Sequence, residues 1–102
     1  MNSGVQDCPL CRYKNLTFYY VKHDAYKRKI FTCPTCKVFI ITDSAERVLQ
    51  ASTTQICEAL SYKSAQLEPE YLLHIFATPP GSVEPLDKEP ELRAKWGISQ
   101  LE

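Results

Sequence analysis

Cys8-Pro9-Leu10-Cys11 and Cys33-Pro34-Thr35-Cys36 are the stretches that decide how this chain of 102 residues folds. They stand 21 residues apart, near the front of the chain. Two cysteines with two residues between them reach one metal ion, because the tight turn brings both sulfurs to the same side. The backbone N–H groups of such a turn then face the sulfurs as donors. Pro9 and Pro34 follow the leading cysteine of each pair. A ring-fixed φ of about −65° suits that first turn position. Four thiolates in a tetrahedron suit zinc, although rubredoxin-type iron takes the same ligands. A catalytic zinc keeps an open position, and four cysteines leave none. The expected site is therefore structural.

Over roughly residues 6–42 the chain resembles the zinc-ribbon superfamily, whose two rubredoxin-like knuckles clamp a small antiparallel sheet. The superfamily serves many functions, so the resemblance implies a scaffold and no specific family. It implies one structural Zn²⁺ on Cys8, Cys11, Cys33 and Cys36. Two features depart from the usual pattern. The 21-residue spacer lies just beyond the usual span of about 15–20. Arg12 and Lys37 occupy the places where a glycine with φ > 0 often follows a knuckle. Both tolerate that conformation at modest cost. With Lys14, they also offset the formal charge of about −2 on zinc bound by four thiolates.

Disulfides are the competing use of these thiols. Residues 1–7 are short and polar, unlike a secretory signal, and five cysteines is an odd number. Free thiols belong to a reducing compartment, so the expected location is the cytoplasm. His23 reads as an exposed loop histidine, and Cys57 as a small buried hydrophobe in an apolar stripe.

Outward from the knuckles, Leu16–Val21 alternates Leu16, Phe18 and Tyr20 with Thr17, Tyr19 and Val21, which is strand chemistry. Residues 22–27 read as a hairpin turn, with Arg28–Thr32 and Lys37–Thr42 as two further strands. Asp43 then offers an N-cap with Glu46 completing a capping box. Val48, Leu49, Ile56, Ala59, Leu60 and Leu67 recur at helical spacing. Ser52–Gln55 interrupts them with a second capping pattern, so the segment is one helix to about Leu67, the reading favoured here, or two helices broken near Ser52. Pro69 suits the first turn of another helix reaching Ala77. Residues 78–90 hold four prolines and a glycine and read as a linker. A last short helix, Pro90–Trp96, would stop at Gly97. The expected fold is thus α+β. An N-terminal three-stranded antiparallel zinc ribbon spans residues 1–42, a helical hairpin packed on it spans 43–77, and the linker and terminal helix span 78–102.

The chain is 44% hydrophobic and 24% charged, as soluble globular domains are. No apolar run is long enough to cross a bilayer, so no membrane contact is expected. The net charge of zero hides an asymmetry. Residues 1–42 carry seven Lys/Arg against two acids, and residues 43–102 carry five against ten. Basic residues interleave with aromatics in the first part, which is the pattern of single-stranded nucleic-acid binding. Lys14, Tyr19, Lys22, Tyr26, Lys27, Arg28 and Lys29 are the candidate contacts of an accessory or regulatory module that recruits nucleic acid or a nucleic-acid-handling complex. The alternative is a protein-interaction or self-associating adaptor, with Leu92, Trp96 and Ile98 either docking on a partner or folding back. No enzyme is expected. The chain has three glycines and no phosphate loop, no nucleophile–base order, and no motif around His23 or His74. No small-molecule substrate is expected either.

Overall fold

The computed structural model describes residues 3–21, 27–78 and 86–96. Six strands form one sheet in sequence order: β1 (Ser3–Gln6), β2 (Leu16–Tyr20), β3 (Lys29–Cys33), β4 (Lys37–Ile41), β5 (Tyr71–Ala77) and β6 (Leu86–Leu92). Two helices, α1 (Asp43–Gln50) and α2 (Thr54–Ala65), come between β4 and β5, and a 3₁₀ turn spans Arg93–Trp96. Neighbouring strands pair antiparallel except β4 and β5, which run parallel with Phe39 opposite Leu73 and Ile41 opposite Ile75.

This sheet corrects the expected fold class. The strands do not make a separate N-terminal three-stranded zinc ribbon, and the helices lie in the middle of the chain rather than after a ribbon. The helix expected over Pro69–Ala77 is strand β5. Leu72, Leu73, His74 and Ile75 are all buried, because β5 lies inside the sheet with both faces covered. A strand of that kind reads as a continuous apolar run, and a run this short also carries helical spacing. The linker and terminal helix are corrected as well. Their described part is β6, an edge strand, and the 3₁₀ turn. An edge strand tolerates Pro90, which has no N–H to give to a ladder.

The helical segment is two helices, not the single helix favoured from the sequence. Thr42, not Asp43, caps α1, with its hydroxyl accepting the Ala45 N–H at 3.1 Å. Thr53 caps α2 in the same way through Ile56, one residue past the Ser52 pattern. Between them, the Ala51 and Ser52 N–H groups turn back to Val48 and Leu49. Glu46 does not close a capping box; it pairs with Lys29 of β3 at 3.0 Å.

One sheet face packs against the helices. Phe18, Phe31, Phe39, Ile41, Leu73 and Ile75 meet Ala45, Leu49, Cys57 and Leu60 there. The phenyl rings of Phe18, Phe31 and Phe39 run across three strands at 5.5 and 5.1 Å between centroids. Burying each such side chain stabilises the fold by roughly 1.5–3 kcal/mol. The other face holds Val38, Ile40 and Leu72, with Ile30 and Trp96 packed on them.

Candidate metal centre

Cys8 and Cys11 lie in the turn after β1, while Cys33 ends β3 and Cys36 lies in the turn joining β3 to β4. Both turns are built alike. Arg12 (φ 67°) and Lys37 (φ 68°) each follow the second cysteine in the left-handed region, which swings the chain away from the sulfurs. In the first turn the Cys8 N–H donates to the Tyr13 carbonyl at 2.8 Å, and the Arg12 N–H to the Cys8 carbonyl at 2.9 Å. The leading sulfur of each turn accepts backbone N–H groups, Leu10 and Cys11 toward Cys8, and Thr35 and Cys36 toward Cys33.

Pairing of β1 with β2 and of β3 with β4 brings the turns together, and all four sulfurs lie within 4.8 Å of one another. Cys8 Sγ is 3.8 Å from Cys36 Sγ, and Cys11 Sγ is 3.5 Å from Cys33 Sγ. A tetrahedron with metal–sulfur bonds of about 2.3 Å has S···S edges of about 3.8 Å. The donor set therefore fits one tetrahedral ion. Cys8, Cys33 and Cys36 are buried, Cys11 is half-buried, and none of the five cysteines is in a disulfide.

The surroundings of the four thiols differ, and so do their proton affinities. The hydrogen bond from Cys36, opposed by burial and helped by the turn N–H groups, holds Cys8 down at about 5. Burial pushes Cys33 up to about 11. The hydrogen bond with Cys8, followed by burial, drives Cys36 upward. Beside the first turn, the Asn15 N–H and then Lys14 hold the Asp7 carboxyl below its ordinary value.

Helix α2 covers the centre with side chains that the sequence did not single out. Ser61 Oγ lies 3.0 Å from Cys36 Sγ, and Ser64 Oγ donates to the Cys36 carbonyl. Both serines are buried. Only their place on the helix stripe of Cys57, Leu60, Ser61 and Ser64 marks them in the sequence. A cleft of about 390 Å³ runs between α2 and the two turns, floored by Leu10, Cys57 and Ala65 and rimmed by Arg12, Glu58 and Tyr62. Cys57 is buried, as its apolar stripe suggests.

The candidate nucleic-acid residues are scattered. Lys29 is turned inward, with Nζ on Gln6 Oε1 at 2.8 Å, on Glu46, and over the Phe18 ring at 4.7 Å. Arg28 donates to His74 Nε2 at 3.2 Å and lies over the Trp96 ring. Lys14 pairs with Asp7 at 3.2 Å on the surface. Tyr19 and Lys27 are exposed. Lys22, His23, Tyr26, Gly97 and Ile98 lie outside the described residues.

Trp96 folds back. Its indole N–H donates to Glu91 Oε1 at 2.8 Å, and its ring meets His74 edge-on. Leu92 stays 48% exposed. Because Arg28 donates to His74 Nε2, the imidazole carries its proton on Nδ1 and gives it to Glu91 Oε2 at 2.9 Å. Sequence reasoning missed this cluster, since its members come from β6, the 3₁₀ turn, β5 and the residue before β3.

Comparison with known proteins returns no match, neither to a protein-family profile nor to a curated protein or a solved structure. Among the described residues, no helix is long and apolar enough to cross a membrane.

Proposed function

We propose that the protein is a small structural-zinc module acting as an accessory protein, with Zn²⁺ held by Cys8, Cys11, Cys33 and Cys36. The observation that carries this is the four-sulfur cluster, all within 4.8 Å, with two of its edges at 3.8 and 3.5 Å, near the tetrahedral value. The ion supplies cross-linking, joining the turn after β1 to the β3–β4 turn, and the thiolates leave no ligand position for chemistry. Zinc is favoured over iron because four thiolates in a tetrahedron suit a d¹⁰ ion with no geometric preference of its own. Metal binding then adds stability to a small fold.

A protein partner is the better-supported contact. Two of the cations that a nucleic acid would need, Arg28 and Lys29, are engaged inside the fold. Exposed apolar side chains include Ile56 at 40% and Tyr62 at 69% on α2, with Val5, Tyr13, Tyr19 and Leu92 exposed elsewhere. Elemental analysis is expected to give close to one zinc per chain, and Cys33→Ser to lose it. Recovery of an equally stable protein after chelation would sink the zinc reading. Titration of labelled single-stranded oligonucleotides at low salt is expected to show no binding. Binding that Lys27→Ala weakens would reverse the choice of partner.

A further inference from the structure

We propose that Ser61 is a positioning residue of the metal centre, donating its hydroxyl proton to the Cys36 thiolate in the loaded state. The inference rests on the metal-binding reading above. Cys8 and Cys33 receive backbone N–H groups from their own turns. Cys36 receives instead a hydroxyl from another element, α2, at 3.0 Å and 25 residues away in sequence. A metal-bound thiolate has no proton, so the hydroxyl is the donor of that pair.

The placement is held from a second point. Ser64, one helical turn on, donates to the carbonyl of the same Cys36. The two hydroxyls thus clasp the sulfur and the carbonyl of a single ligand residue. With Ser61 only 8% and Ser64 1% exposed, water is a poor substitute for either contact. Groups that hydrogen-bond a ligand orient it and tune its charge, and losing one typically weakens metal affinity by about 10–100-fold. Helix α2 is in this sense part of the centre, although it contributes no ligand.

The test compares zinc affinity, by competition with a chromophoric chelator, and the thiolate-to-cobalt charge-transfer band of the Co²⁺-loaded chain. Ser61→Ala is expected to weaken zinc binding by about tenfold or more. It should also move the band to longer wavelength, because an unshared sulfur lone pair lies higher in energy. Ser61→Thr, which keeps the hydroxyl, should restore both readouts. Ser64→Ala should lower stability and leave the band in place, since its partner is a carbonyl and not the sulfur. Should Ser61→Ala not fold, Ser61→Thr and Ser61→Val, alike in volume, carry the same comparison. An unmoved band together with an affinity within about threefold of the parent overturns the assignment. A parent chain that takes up neither zinc nor tetrahedral cobalt overturns the underlying metal reading instead.

Discussion

Lys29 of β3 and Glu46 of α1 meet at 3.0 Å between the sheet and the helix, with 13% and 8% of their side chains exposed. Gln6 of β1 closes the group, accepting from Lys29 and donating to Glu46 Oε2, both at 2.8 Å. Glu46 Oε1 faces the ammonium off any hydrogen-bonding direction, so that contact is coulombic. Removing one member strands a buried charge, which costs about 3–5 kcal/mol, whereas apolar replacement of both is often neutral. Urea denaturation should show Glu46→Ala strongly destabilised and Lys29→Met/Glu46→Leu close to the parent. Equal losses in the two proteins would mean that the pair is not buried as described.

Cys57 tests whether the fifth cysteine belongs to the centre. It lies in the apolar core with 2% exposure, and it is not part of the four-sulfur cluster. Cys57→Ser should keep one metal per chain and lose roughly 1–3 kcal/mol of stability, the cost of burying a hydroxyl without a partner. Loss of the metal from this variant would make Cys57 a ligand.

Glu91 gives the fold a pH dependence of known sign. Burial raises its carboxyl, but hydrogen bonds from His74, Trp96 and Lys95 outweigh that and hold it below the ordinary value. A depressed folded value contributes stability above the unfolded pKa of about 4.3, and the contribution is lost as pH falls through the folded value. Glu91→Gln should therefore cost roughly 1.5–3 kcal/mol at neutral pH. The gap from the parent should close as pH falls below the depressed folded value. Comparing the two proteins at each pH cancels any loss of metal common to both. A gap that persists in acid would show that packing, not charge, is responsible.

Gly4 of β1 lies flat under Phe18, where an added Cβ would come within 2.7 Å of the ring. That ring is wedged between Tyr20 and Phe31 and lies under the Lys29 ammonium. Gly4→Ala must displace it, at a cost of about 1–3 kcal/mol. Thermal unfolding and the Phe18 ring resonances should both report the shift. An unshifted ring would show that β1 moves instead.

Ligand spacing is written into the chain, so Cys8, Cys11, Cys33 and Cys36 were legible, as were the left-handed Arg12 and Lys37 beside them. The alternation around Phe18 likewise announced β2. Three things were not legible, each for a physical reason. Strand β1, Ser-Gly-Val-Gln, has no apolar alternation, and only its pairing with β2 makes it a strand. Strand β5 is apolar on both faces, which hides a period of two. Arg28 and Lys29 look like surface cations, because neither His74 nor Glu46 is near them in sequence.

Order of assembly follows from the one parallel pairing among the described strands. From β1 to β4, each strand pairs with its neighbour in the chain, so both metal-bearing turns form from local contacts. The β4–β5 ladder closes only after residues 42–70, with both helices, have looped back. Closing long loops costs entropy before any contact repays it, and non-local pairing slows folding. The late event expected from this topology is the docking of the β5–β6 hairpin onto β4. A chain stalled at that point would hold its metal turns already formed while the edge of β4 stood open to another molecule.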